Sequence, residues 1–271
     1  MSIFPPGNPL RAALMRGEAQ FGSWINLLHS PATLALMKAA GLDFARLDME
    51  HSGVSIETVA NLALFARAIG LPLAVRPPVA NREWITRLLD IGVQNLHCPQ
   101  VENLAHAREI VAASRYAPMG TRGQGYPGPA SGFDTLSDAA GRRAQANGDV
   151  FVTVMFETAA ALEDLDAIAA LDGIDALTLG PADLAQDLGV SGTPSEGAVL
   201  RDKQELIFQA AKRHGKVFAA LCATPAEAAA WRSRGARLLA CSSDTAVMQS
   251  GFAALTRGFH AALPPDAPSK G

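Results

Sequence analysis

Eight short apolar runs, each followed by a longer stretch of mixed polarity, dominate this sequence of 271 residues. The runs read as strands over residues 21–26, 44–48, 73–76, 95–99, 150–156, 176–179, 217–221 and 238–242. Helical periodicity fills most of the intervals, over 56–69, 81–90, 105–113, 160–170, 203–214, 224–234 and 244–260. Several helical stretches end at a glycine leading into the next strand (Gly41, Gly70, Gly92, Gly215 and Gly235), where a left-handed residue closes a helix. Eight strand–helix units are what a (β/α)8 TIM barrel needs, and 271 residues of 49% hydrophobic composition suit one such barrel. Asn8-Pro9 places an N-cap before a proline at the first helical position. It opens a short capping helix that ends near Gly17, ahead of the first strand. The competing fold is a doubly wound open sheet, which carries a Gly-rich nucleotide turn after its first strand. No such turn follows residues 21–26.

Two segments break the rhythm. Residues 120–132 hold Gly123, Gly125, Gly128 and Gly132 with Pro127 and Pro129, too many helix breakers for a helix. They read as a long loop, a lid or an interface segment. Residues 263–271, with Pro264-Pro265-Asp266-Ala267-Pro268, read as an unstructured tail. No shift in composition marks a second domain, so residues 1–262 are expected to form one barrel domain.

Composition narrows the function. A net charge of −3 without a long basic run argues against nucleic acid as a partner. The first residues lack the charged and apolar regions of a secretory signal, and no apolar run is long enough to cross a bilayer. Cys98, Cys222 and Cys241 are an odd set without C-x-x-C spacing, which opposes a disulfide framework or a zinc cluster. A cytoplasmic location follows as the expectation, with the cysteines as small buried residues.

The strand ends carry the chemistry. The run 150–156 ends at Glu157, and 176–179 leads into Gly180-Pro181-Ala182-Asp183-Leu184. In a parallel barrel these ends open on one mouth. Two convergent carboxylates without a matching pair of cations suit a hard divalent metal. The alternative is two helix N-cap acids. Arg76 ends the strand 73–76 and suits an anionic or enolate oxygen, or else an ion pair with a barrel carboxylate. His51, in Asp48-Met49-Glu50-His51, can exchange protons near neutral pH, with Asp48 and Glu50 to orient or support it. The backbone N–H groups where a helix begins after Gly180 suit a carboxylate or phosphate.

Lys38, Lys203, Lys212, Lys216 and Lys270 are the lysines, and none ends an inferred strand. A Schiff-base aldolase, which needs a lysine in the mouth, is therefore disfavoured. Among the other histidines, His106 and His214 lie on helices and read as solvated. His97 reads as core, and His29 could face the mouth.

Taken in order, Asp48-x-Glu50-His51, Val75-Arg76-Pro77-Pro78, Leu88-Leu89-Asp90-Ile91-Gly92, Gly120-x-Arg122-Gly123, Glu157-Thr158 and Gly180-Pro181-Ala182-Asp183-Leu184 resemble the HpcH/HpaI family of class II pyruvate aldolases. The likeness runs from about residue 8 to residue 259. It implies a TIM barrel of the phosphoenolpyruvate/pyruvate type, assembled into homo-hexamers with active sites at subunit interfaces. It implies that Glu157 and Asp183 hold Mg²⁺, Mn²⁺ or Co²⁺. Arg76 corresponds to the arginine on the keto oxygen, and His51 to the histidine of the acid/base machinery. Asp90 corresponds to an aspartate that pairs with that histidine from a neighbouring subunit. The amides of Ala182 and Asp183 correspond to those that hold the pyruvate carboxylate.

The chain departs from many relatives at Gly125-Tyr126-Pro127-Gly128-Pro129, where further basic residues are common. It departs again at Met155-Phe156, where some members have a glutamine. Both differences bear on the aldehyde. The expected activity is reversible cleavage of a 4-hydroxy-2-oxo acid to pyruvate, or a related 2-oxo acid, and an aldehyde. The alternatives are a metal-dependent lyase of malyl- or citramalyl-CoA-like thioesters and a non-catalytic 2-oxo-acid-binding barrel.

Overall fold

The computed structural model describes residues 3–5, 7–125, 127–134 and 138–263. Its eight strands are β1 (Gln20–Ile25), β2 (Phe44–Asp48), β3 (Leu73–Arg76), β4 (Asn95–Cys98), β5 (Phe151–Phe156), β6 (Ala176–Leu179), β7 (Val217–Cys222) and β8 (Leu238–Ser243). All neighbours run parallel, and β8 closes on β1, so the (β/α)8 barrel expected from the alternation is the fold. Each strand lies within a residue or so of the apolar run that predicted it.

The helices depart further from expectation. Pro31–Ala39, Ala139–Asp149 and Pro181–Asp187 were not marked by a clear period. The stretch 160–170 is two short helices broken at Asp164, whose carboxylate accepts the Leu104 N–H at 2.7 Å. The stretch 203–214 is the second half of Glu196–Arg213. Gly70 and Gly235 do close their helices in the left-handed region, at φ 65° and 108°.

Strand register decides what faces the barrel axis. Trp24, Arg46 and Ala74 are register partners on β1, β2 and β3; Asp48 pairs with Arg76, and His97 with Thr153. The lower interior is apolar: Phe44, Phe151, Val217 and Leu238 pack with Leu10 and Leu14 of helix Pro9–Met15. That helix closes the floor as a plug. Its N-cap, Asn8, accepts the Arg11 N–H at 3.2 Å and donates to Asn95 on β4 at 2.7 Å, so one side chain starts the helix and fastens it to the barrel.

The expected unstructured tail beyond residue 263 and Tyr126 lie outside the described residues. Residues 127–132 pack at the floor end, where Pro129 accepts from Arg67 at 2.5 Å and a Cβ on Gly92 would touch it. The described part of this segment is therefore remote from its own barrel mouth and does not form a lid over it. Among the described residues, no helix is long and apolar enough to cross a membrane.

Candidate active site

The C-terminal strand ends surround a cavity of about 360 Å³, lined by Trp24, Asn26, Asp48, His51, Arg76, Met155, Glu157, Ala182, Asp183 and Ser242 among others. A second crevice, about 80 Å³, lies at the floor and is walled mainly by apolar groups such as Phe4 and Leu71. Chemistry-bearing side chains converge on the mouth.

Arg76 leaves the end of β3 beside Asp48 on β2. Its Nε and Nη2 donate to the two Asp48 oxygens at 2.8 and 2.6 Å, and Nη1 lies 3.0 Å from Glu50 Oε2. The ion pair and the mouth position thus coexist: a bidentate fork fixes the guanidinium while its edge stays on the cavity. Burial works to raise the Asp48 pKa. Arg76 and the N–H groups of Glu50 and His51 outweigh it and hold the carboxyl below its ordinary value. Asp48 therefore serves Arg76 and the turn after β2, with the Ser52 hydroxyl bonded to its carbonyl.

His51 stands at the rim with its side chain 59% exposed, and its Nε2 lies 3.7 Å from Glu50 Oε2. Glu50 consequently sits between the arginine and the histidine. Burial raises the Glu50 pKa, Arg76 and His51 oppose it, and the charges of Asp48 and Asp183 add to the rise.

Glu157, just past β5, is 2% exposed. Its Oε1 accepts the backbone N–H of Gln100, and no arginine or lysine pairs with it among the described residues. Burial pushes its pKa up to about 7, and the charges of Glu50 and Asp183 push the same way. Asp183 begins helix Pro181–Asp187 from the adjacent strand end, with its carboxylate free of hydrogen bonds and ion pairs among the described residues. The amides of Ala182 and Asp183 accompany it on the cavity wall, also without an acceptor among the described residues.

These residues fit a divalent cation. A buried carboxylate with raised pKa, crowded by like charges, gains most from a hard cation. No group of three or more His, Cys, Asp or Glu suited to a metal occurs among the described residues. Glu157 and Asp183 would hold such an ion and leave its other positions to ligand oxygens and water.

Asp90 is elsewhere. It ends helix Arg82–Asp90, at the floor end of its own barrel, and pairs with Arg122 at 3.0 Å. Within one chain it has no part in the mouth. His106 and His214, read as solvated, instead contact the Ala80 carbonyl at 3.0 Å and Asp166 at 3.1 Å. His97 is core, His29 does not line the cavity, and the cysteines are free thiols. Lys216 lies before β7, bound to the carbonyls of Leu171 and Ile174 at the floor end.

Two contributors escaped the sequence reading. Gln100, at a left-handed φ of 48°, donates its backbone N–H to Glu157, while its side chain donates to Glu50 at 3.2 Å. A backbone donor leaves no signature in residue type. Trp24 packs its ring against the Arg76 guanidinium, 4.8 Å from the centroid, as a cation–π contact. Its strand position was legible, but its partner was not.

The HpcH/HpaI aldolase/citrate lyase family matches residues 20–250, from β1 into the last helix. The chain belongs to that family. Its kinship with the HpcH/HpaI aldolases extends over nearly its whole length. It is 36% identical over 257 residues to the 5-keto-4-deoxy-D-glucarate aldolase of Enterobacter sp. (strain 638), covering 95% of this chain and 98% of that one. The crystal structure of the HpcH/HpaI aldolase from Desulfitobacterium hafniense DCB-2 superposes with a TM-score of 0.88 at 31% identity, covering 97% of this chain and all of that one. The structure of the citrate synthase SbnG superposes at 0.82 with 26% identity, covering 93% and 97%. The HpcH/HpaI resemblance read from the ordered motifs therefore holds, and the chain is an enzyme of the carbon–carbon lyase class.

Proposed function

We propose that this protein is a divalent-metal-dependent class II aldolase that cleaves a 4-hydroxy-2-oxo acid to pyruvate, or a close relative, and an aldehyde. The observation that carries this reading is the convergence of Arg76, Glu157, Asp183 and two free amides on one cavity. The substrate named for the Enterobacter relative has a keto carbon beside a deoxy carbon. That is the bond pattern a retro-aldol cleavage uses.

Glu157 and Asp183 would hold Mg²⁺, Mn²⁺ or Co²⁺, which supplies Lewis-acid polarisation of the 2-oxo group when bound. The Ala182 and Asp183 amides receive the substrate carboxylate. Arg76, locked by Asp48, presents its charge to the keto oxygen, where negative charge grows as the carbon–carbon bond breaks. Because the fork is fixed in advance, the charge needs no reorganisation in the transition state. His51 at the exposed rim takes the proton of the C4 hydroxyl, directly or through water, and Glu50 restrains it. Trp24 and Met155 give the cavity its apolar wall.

The catalytic unit is the barrel of residues 1–262, and its working form is a homo-oligomer, a hexamer by family resemblance. Helix Asp244–Ala262 buries no residue among those described and exposes Val247, Phe252, Leu255 and Phe259 along its length. By the family resemblance, assembly would bring Asp90 of one chain to His51 of another.

The test is pyruvate release from a panel of 4-hydroxy-2-oxo acids, with malyl- and citramalyl-CoA run in parallel. The aldolase reading expects pyruvate from the oxo acids and a fall of about 10²–10³-fold in kcat/KM for Arg76→Ala. Near-normal turnover in that variant contradicts the assigned role, and thioester cleavage alone contradicts the aldolase.

A further inference from the structure

Between the apolar floor and the mouth lies a polar storey that the proposed chemistry does not use. Arg46, on β2, points into the barrel two residues below Asp48 and is 1% exposed. Its guanidinium lies over aromatic rings, 4.9 Å from the centroid of Trp24 and 5.7 Å from that of Phe44. It makes no hydrogen bond or ion pair among the described residues, and its Nε is shielded from solvent. His97, on β4, is also 1% exposed, and both ring nitrogens are buried without partners. Its ring stands edge-on to Trp24 with centroids 5.4 Å apart. Thr153, its register partner on β5, is buried too, with no hydrogen bond from its hydroxyl among the described residues.

The nearby carboxylates are already committed. Asp48 gives both oxygens to Arg76, and Glu50 faces Arg76 and His51. Arg46 is thus a second cation in the same barrel, near Arg76, without a counter-charge. Burial first, and the charge of Arg76 after it, together push its pKa down to about 9. A buried unpaired charge is strongly unfavourable, and buried groups left unsatisfied by the chain call for a bound partner. The groups available are a planar donor fork, an imidazole that can donate one N–H, and a hydroxyl. Together they match an anion and not a cation.

We propose that Arg46 and His97 form a buried binding site for a small monovalent anion, a halide or a carboxylate no larger than formate, inside the barrel beneath the catalytic mouth. The anion neutralises Arg46 and accepts from the guanidinium and the imidazole. Its occupancy does not depend on the aldolase reading.

Bromide is the probe. Crystals of the full chain grown in sodium bromide should show an anomalous peak in hydrogen-bond reach of the Arg46 guanidinium and a His97 nitrogen. In solution, the melting temperature should rise by about 2–4 °C for each tenfold increase in bromide above its Kd, against sodium gluconate at equal ionic strength. Arg46→Met should abolish that rise. If Arg46→Met fails to fold, the anomalous map of the unaltered chain decides. No peak between Arg46 and His97, or equal bromide responses in the parent and Arg46→Met, overturns the proposal.

Discussion

At the residue scale, the site works through carboxylates of opposite character. Asp48 is held ionised by the Arg76 fork and two backbone N–H groups, whereas Glu157 is buried among like charges with a single backbone donor. One is committed to Arg76, and the other is the group we propose for the divalent ion. The raised pKa of Glu157 makes a signed prediction for metal-free protein. Between its ordinary value of 4.5 and about 7, the folded chain binds more protons at this group than the unfolded chain does. Stability of the metal-free protein should therefore fall as pH rises through that window and level off above it. Glu157→Gln, which mimics the protonated form, should remove this component. Thermal melts in EDTA from pH 4.5 to 8 check it, and parallel curves for the two proteins contradict it. Residue type made Glu157, Asp183, Arg76 and His51 legible, because a charged or titratable group at the end of an apolar strand needs a reason. Arg46, in the middle of Phe44-Ala45-Arg46-Leu47-Asp48 and not at its end, carries a different signal, a charge inside a buried strand. Gln100 could not be found that way, since its bond to Glu157 comes from a backbone N–H.

At the scale of elements, the strands were legible to within a residue or so because burial on both faces leaves them apolar throughout. Helices were less so. Helix Ala139–Asp149 buries none of its residues and helix Glu196–Arg213 buries few, so their apolar periods are faint. Asp164 interrupts a helix for the sake of a bond to Leu104, a long-range contact that no local pattern encodes. The floor plug is the element that holds the lower barrel shut. Leu14 is fully buried there against Phe44 and its neighbours. Leu14→Ala should cost about 2–5 kcal/mol of stability while leaving turnover of the folded enzyme close to normal, because the mouth lies at the other end. A chemical denaturation midpoint measured beside kcat separates these effects. An unchanged midpoint would show that the helix does not seal the core.

At the scale of the whole molecule, one barrel places Arg76, Glu157, Asp183 and His51 together but leaves Asp90 at the opposite end, bonded to Arg122. The apolar face of helix Asp244–Ala262 and the Gly/Pro-rich segment beside Asp90 both suit contact with further copies. Phe252→Glu with Leu255→Glu should break the assembly, as read by analytical ultracentrifugation, and should lower turnover where Asp90 must reach a neighbouring His51. A double variant that sediments as the parent does would contradict this use of the helix.

The central claim is that the mouth enolises a 2-oxo acid with the help of a divalent ion held by Glu157 and Asp183. Exchange of the pyruvate methyl protons in D₂O, followed by NMR, tests this without knowledge of the aldehyde. Exchange should be present with Mg²⁺, Mn²⁺ or Co²⁺, vanish in EDTA, return when metal is restored, and be lost in Glu157→Gln. Absence of exchange with all three metals, or exchange that persists in EDTA, would contradict it.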